Sequence, residues 1–304
     1  MKHLILFTLF CSIVFLISGQ NSPVEVTYNF NPDYTVDFFY RKPLPGNYLI
    51  KLSFSRVENA VVTGVSEVVK ALNGKVYTLL PAIQGQPVRF SLQYSALRGL
   101  PDPKADTNFV CLLPVAGGKS IQVEKVSSFT NYSFFVERRQ KWDYFLFHTD
   151  PDEPIFSVRK GVVVEVNEGA DVKETDVFPF TVNKLNAITI EHEDGTLACY
   201  SLLKKGSILV KPGDAVIPNT PLANAGSLSG SGSLLFCLTY LKTAKADPRV
   251  STRSDSYHYS QIDPLFSTTT GNVRLLSGKG YTSRISNEQI VKELNKKEQK
   301  KIGK

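Results

Sequence analysis

The sequence predicts an all-β protein: an N-terminal β-sandwich, a second antiparallel β domain and a short C-terminal helix. Three observations lead there. Short runs rich in Val, Ile, Tyr, Phe and Thr recur between turns bearing Gly, Pro and Asp. Tyr (13) and Phe (19) far outnumber Met (1), a bias towards strand-forming side chains. The one clear amphipathic helical pattern falls at the C-terminus. A length of 304 residues accommodates about two domains. With 42% apolar and 21% charged residues the composition is globular, which excludes disorder for the chain as a whole.

Residues 1–19 form the first element. Lys2 precedes an apolar stretch over 4–17, and Ser18-Gly19-Gln20 follows. That stretch is shorter than the ~20 residues of a membrane helix, and the pattern is that of a cleaved secretory signal. The chain is therefore expected to be exported, periplasmic or secreted, with no transmembrane segment. Residues 20–108 read as the β-sandwich, with strands near 48–55, 76–80 and 88–94. Residues 61–72 suit a helix or a strand, and Pro101-Asp102-Pro103 closes the region.

The second β domain spans 109–245. Residues 161–166 are a buried-type strand. Residues 187–192 and 196–202 form a hairpin around Asp194-Gly195, a turn pair that tolerates positive φ. Residues 208–216 read as strand, turn, strand, and a Ser/Gly loop over 227–233 leads into a strand over 234–241. A β extension over 246–285 adds edge strands at Pro264-Leu265-Phe266 and at 273–276. In the tail, 286–304, Ser286 and Gln289 have capping-box spacing, with Ile290, Val291 and Leu294 on one side of a Lys-rich helix.

Of the formal charge of +7, the tail carries +3, from six Lys and three Glu. No clustered Lys/Arg stripe remains elsewhere, so nucleic acid is not an expected partner. The tail reads as a solvated segment or as a peripheral contact to an anionic envelope surface. Beyond the signal, Cys111, Cys199 and Cys237 have neither metal-knuckle nor dense disulfide spacing; they read as small buried side chains, with the alternative that an oxidising compartment joins one pair and leaves an odd thiol.

Chemistry-bearing residues are few. His148, His192 and His258 are the histidines after the signal. His148 with Asp150 and Asp152 offers metal donors only across Pro151, and His192-Glu193-Asp194 adjoins a turn where polar residues belong anyway. There is no P-loop, no Gly-Xaa-Ser-Xaa-Gly elbow and no His-Glu-Xaa-Xaa-His helix.

A series of short motifs nevertheless recurs in one order: Gly161-Val162-Val163, Ile188 to Gly195, Tyr200-Ser201-Leu202-Leu203, Val210-Lys211-Pro212-Gly213-Asp214, and Gly226-Ser227 through Ser233-Leu234-Leu235-Phe236. Over about 130 residues this resembles the lysostaphin/LytM-type zinc peptidases that cut peptidoglycan cross-bridges. The resemblance implies a LytM-like antiparallel β-barrel or sandwich, the duplicated hybrid motif. In that family two metal ligands fall, by count from Gly161, at Glu137 and Leu146. The catalytic His of a Tyr-Xaa-His step falls at Leu202. The His-Leu-His-Phe motif, source of a catalytic His and the third ligand, reads Ser233-Leu234-Leu235-Phe236.

Zinc in a catalytic site takes lone-pair donors, typically three from protein plus water, and leucine has none. Without the metal, bound water keeps its high pKa, and without imidazoles no proton moves. The resemblance thus implies a degenerate member with no cofactor. Leu146, Leu202 and Leu235 would converge as an apolar floor, with Tyr200 and Ser233 at its edge and Tyr200, Leu202, Ser233, Leu235 and His192 as groove candidates. The expected role is binding of peptidoglycan, or of a cell-wall amidase or other hydrolase. The alternatives are an active zinc endopeptidase with other ligands and a structural envelope scaffold.

Overall fold

A computed structural model describes residues 24–130, 140–169, 185–228, 230–244 and 256–302. The expected signal segment and Glu137 lie outside these. The chain is all-β, and it divides into two units: 1–43 with 50–96, and 44–49 with 97–304.

The first unit holds β1 (Glu25–Phe30), β2 (Val36–Arg41), β4 (Gly64–Val69), β5 (Asn73–Leu79) and most of β3 (Tyr48–Glu58) and β6 (Arg89–Arg98), whose ends at 48–49 and 97–98 belong to the second unit. Two three-stranded sheets, β1-β2-β5 and β4-β3-β6, make a small sandwich. Alternating residues put Phe38 of β2 against Phe54 of β3 and Phe90 of β6, with ring centroids 5.4 and 5.5 Å apart. The ambiguous stretch 61–72 contains the strand β4.

The second unit begins with β7 (Val110–Leu112), β8 (Ser120–Thr130), β9 (Gln140–Thr149), β10 (Pro154–Phe156) and β11 (Gly161–Asn167). It continues through β12 (Ala187–Glu191), β13 (Leu197–Ser201), β14 (Ala215–Val216), β15 (Pro221–Asn224), β16 (Gly226–Leu228) and β17 (Ser231–Ala244). It ends with β18 (Ser256–Ile262), β19 (Leu265–Thr268), β20 (Gly271–Arg274), β21 (Lys279–Thr282), α1 (Asn287–Val291) and α2 (Lys296–Ile302). A ten-stranded sheet runs β14-β11-β12-β13-β17-β9-β8-β21, with β16 and β18 also paired to β17. Among the described residues the sheet is open, so the expected barrel is not closed: β14 and β21 are separate edges.

Four local expectations change. Residues 208–214 are not strand; within 208–216 only β14 forms, and Leu209 donates a single backbone bond to Leu222. The Ser/Gly loop is mostly ladder, because β16 pairs directly with the start of β17. The tail is two helices. Ser286 and Gln289 make the capping box of α1, but Asn295 stops the run and caps α2, its side chain accepting from the Lys297 and Glu298 amides. Asn competes with the helix backbone in the interior and satisfies it at a cap. The strand at Leu265 and Phe266 is not the edge expected: β19 lies between β20 and β7, antiparallel to the first and parallel to the second, because residues 271–274 and 110–112 pair on either side of it.

The core follows from period-two alternation along β9, β13 and β17. Phe145, Phe147, Ala198, Tyr200, Leu234 and Phe236 enter one buried cluster. Tyr144, Leu146, Leu197, Cys199, Leu235 and Cys237 enter another, on the opposite face. At the tip of β17, a Cβ on Gly232 would collide with the Asp150 carbonyl. Gly232→Ala should therefore destabilise the protein by about 1–3 kcal/mol through forced backbone displacement, read as a lower midpoint in denaturant unfolding.

Candidate functional site

The site begins with register. On β17, Leu235 stands opposite Leu146 of β9 on one side and Ser201 of β13 on the other, and Ser233 stands opposite His148. Leu146 and Leu235 therefore share a face by alternation. Leu202 does not follow the same rule. Two residues beyond Tyr200, a regular strand would send it to the Tyr200 face, but its backbone is left-handed (φ 68°). That turn swings the side chain over to Leu146 and Leu235. A left-handed leucine costs on the order of 1–2 kcal/mol, and burial on the new face offsets it.

The three leucines, 5%, 1% and 0% exposed, lie in one cluster with Leu49, Leu97, Tyr144, Val164, Cys199 and Cys237. The residues at this point do not fit a zinc ion. Leucine donates no lone pair, and a divalent cation in an apolar cluster would go unsolvated. Ser233 is buried too, its hydroxyl donating to the Ser231 carbonyl at 3.2 Å. Among the described residues no group of three or more His, Cys, Asp or Glu is placed to hold a metal.

Tyr200 and Ser233 do not rim a groove. Tyr200 lies on the opposite face, its ring edge-on to Phe236 at 5.2 Å and its hydroxyl accepting from the Val158 amide at 2.9 Å. Burial raises its pKa, so the phenol stays neutral. All five residues expected to line a groove, Tyr200, Leu202, Ser233, Leu235 and His192, are buried.

What closes the leucine face is a segment that reads in sequence only as a lead-in to a strand. Residues 44–49 belong to the second unit. The Asn47 amide donates to Glu191 Oε2 at 2.9 Å, and its side-chain amide donates to Oε1 of the same carboxylate. Leu49 enters the leucine cluster. Gly46 sits at φ 89°, and a Cβ there would meet both Glu191 and Val164, so the segment packs this closely only because it carries glycine. Arg98 pairs with Glu165 at 3.2 Å and lies over the Tyr48 ring at 4.8 Å.

His192 belongs to a different, structural cluster. Its Nδ1 donates to the Lys160 carbonyl at 2.7 Å, and its buried Nε2 has no hydrogen-bond partner among the described residues. Burial first, and then the neighbouring Arg159 charge, lower its pKa to about 4. Arg159 is held between Asp194 (2.9 Å) and Glu293 (2.6 Å), with its guanidinium 3.8 Å from the Phe109 ring centroid. Glu293 also accepts from the Lys160 amide, and Lys160 pairs with Glu298 at 2.8 Å. The tail, expected to be solvated or turned to an anionic surface, is thus docked through two of its three glutamates, which the buried arginine and Lys160 require as counter-charges.

Beside the closed face a cavity of about 400 Å³ is lined by Lys119, Gln122, His148, Asp150, Ser231 and Tyr281 among others. The sequence linked His148 to Asp150 and Asp152 as metal donors, but the structure gives each acid a lysine. Asp150 pairs with Lys119, which also reaches Glu153 at 3.0 Å, and Asp152 pairs with Lys204 at 2.7 Å. His148 Nε2 lies 3.6 Å from Glu124. No sequence signal marks this cavity, because it needs β8, β9, β21 and the β16–β17 turn in one place.

No family model and no curated protein matches the chain. Solved structures similar to it include lysostaphin and M23 peptidases. One is the catalytic domain of the prophage-encoded M23 protein EnpA from Enterococcus faecalis (16% identity, 42% of this chain and 87% of that one, TM-score 0.28). Another is the catalytic domain of the antimicrobial peptidase lysostaphin from Staphylococcus simulans (17%, 38% and 79%, 0.26). A third is Csd3 from Helicobacter pylori (10%, 82% and 77%, 0.29). These likenesses concern the fold alone.

Two outcomes follow from the site. Leu235→Ala should cost about 2–5 kcal/mol in chemical unfolding, since a fully buried leucine leaves a cavity. Stability should also fall with acid in two stages. His192 has a folded pKa below its ordinary 6.5, so the unfolded chain binds the proton first and stability drops between about pH 6.5 and 4. Burial of Asp194 opposes ionisation, but Arg159 and the Thr196 hydrogen bonds outweigh it and hold its pKa below 3.8, so a further loss comes below that pH. In a melting series against pH, His192→Asn should flatten the first stage and leave the second.

Proposed function

We propose that this chain is an exported, non-catalytic relative of the lysostaphin-type peptidases that binds peptidoglycan or regulates a cell-wall hydrolase. One observation carries the non-catalytic half. Leu146, Leu202 and Leu235 stand where the motif resemblance requires a ligand or a catalytic imidazole, and together they form a sealed apolar cluster. A lapsed metal site left as a polar void would cost stability; three leucines packed against Leu49 and Val164 convert it into core. The backbone at Leu202 is left-handed although it carries only a hydrocarbon side chain.

The wall-binding half rests on the ordered motifs between Gly161 and Phe236. The polar cavity around His148 and Lys119 offers both charge signs and amide-matching donors and acceptors, which suits peptide and sugar groups.

The test uses the purified chain, with zinc measured by elemental analysis and with hydrolysis and co-sedimentation assayed on purified peptidoglycan sacculi. The expected result is less than stoichiometric zinc, no released muropeptide, and sedimentation with sacculi. One zinc per chain with cleavage establishes the active endopeptidase instead. Failure to bind either sacculi or a wall amidase leaves the scaffold reading and overturns this one.

A further inference from the structure

The described cysteines divide between the two faces of the large sheet. Cys111 lies in the cluster around Phe145 and Phe147, whereas Cys199 and Cys237 both lie in the leucine cluster. Cys199 of β13 and Cys237 of β17 are directly opposed in the antiparallel register. Directly opposed residues place their Cβ atoms about 4.5–5.5 Å apart, and a disulfide needs about 3.5–4.5 Å, so a closing shift of about 1 Å makes the bond possible. Cys111 would have to cross the sheet to reach either one.

We propose that Cys199 and Cys237 form a cross-strand disulfide when the chain folds in the presence of a disulfide oxidant. The step balances as thiol–disulfide exchange. The deprotonated sulfur of one cysteine attacks a sulfur of the oxidant, releasing its first half as a thiol and leaving a mixed disulfide. The second cysteine's thiolate attacks the protein sulfur of that intermediate and releases the other half. One protein disulfide forms, one oxidant disulfide is reduced, and the two cysteine protons end on the released thiols.

The surroundings favour the bond once formed. Both side chains are nearly inaccessible, 6% and 3% exposed, so a reductant reaches the bridge poorly. The thiols already touch: the Cys237 thiol donates a hydrogen bond to Cys199, and this bond together with burial holds Cys237 well above the ordinary thiol range. In the folded protein Cys237 therefore stays a thiol, and the bond has to form while the sheet assembles. Cys199 also contacts the Ser201 hydroxyl at 3.3 Å. Burial pushes the Cys111 thiol up to about 12, which leaves it a thiol throughout. The bridge would join the two strands that border Leu202 and carry Leu235, bracing covalently the point where the resemblance sets a metal.

The test refolds the full chain from denaturant in a glutathione/glutathione-disulfide buffer, quenches it with iodoacetamide under denaturing conditions, and maps peptides by mass spectrometry before and after reduction. The expected result is alkylated Cys11 and Cys111, with Cys199 and Cys237 joined in one linked peptide pair that separates on reduction. Full alkylation of Cys199 and Cys237 without reduction overturns the proposal, as does any bridge that includes Cys111. Cys111→Ser refolded in the same way should keep the linked pair. Should that variant not fold, the map of the native sequence decides by itself.

Discussion

The second unit depends on β17 being buried on both faces. One edge pairs with β16 and then β13, and the other with β9 and then β18, so its backbone is hydrogen-bonded along both sides. Every side chain from Ser233 to Thr239 must enter one core or the other. Such a strand has no room for a water-facing groove unless a polar constellation is built to hold one open. Here leucines occupy those positions, and both faces are sealed. The alternation that aims Leu235 at Leu146 also aims Phe236 at Tyr200.

Backbone strain is kept beside this strand. The left-handed Leu202 turns its side chain against the alternation, and its carbonyl accepts from the Gly226 amide at 2.7 Å. A bulky residue rarely holds that conformation, and strain of this kind concentrates where a scaffold positions a side chain for chemistry. In this chain the geometry serves packing. Gly46 and Asn47 add a second layer, closing over Glu191 from a distant part of the chain.

Charge is handled separately from chemistry. Arg159 is withdrawn from water and would destabilise the unit alone. Asp194 from the hairpin turn and Glu293 from the tail supply its counter-charges, and Phe109 takes the flat face of the guanidinium. The cluster thereby ties the C-terminal segment to the hairpin and leaves His192 neutral beside it. A histidine in this setting is a fold element, although in sequence it stands inside one of the most recognisable motifs.

Much of this was legible without coordinates. Short β-branched runs between turn residues specify strands, the Asp194-Gly195 pair specifies a tight turn, and Ser286 with Gln289 specifies a capped helix, because each depends on neighbours a few residues away. That Leu146, Leu202 and Leu235 bring no metal donor is likewise a statement about residue chemistry alone. Tertiary structure decided the rest. That Tyr200 points away from Leu202 depends on one φ angle, which no local pattern fixes for leucine. That residues 44–49 seal the leucine face, that Glu293 meets Arg159, and that Cys199 rather than Cys111 stands opposite Cys237 all depend on pairings across tens to hundreds of residues. Contacts of that range follow from strand register and from the need to pair every buried charge, and the residue order along the chain does not express either one.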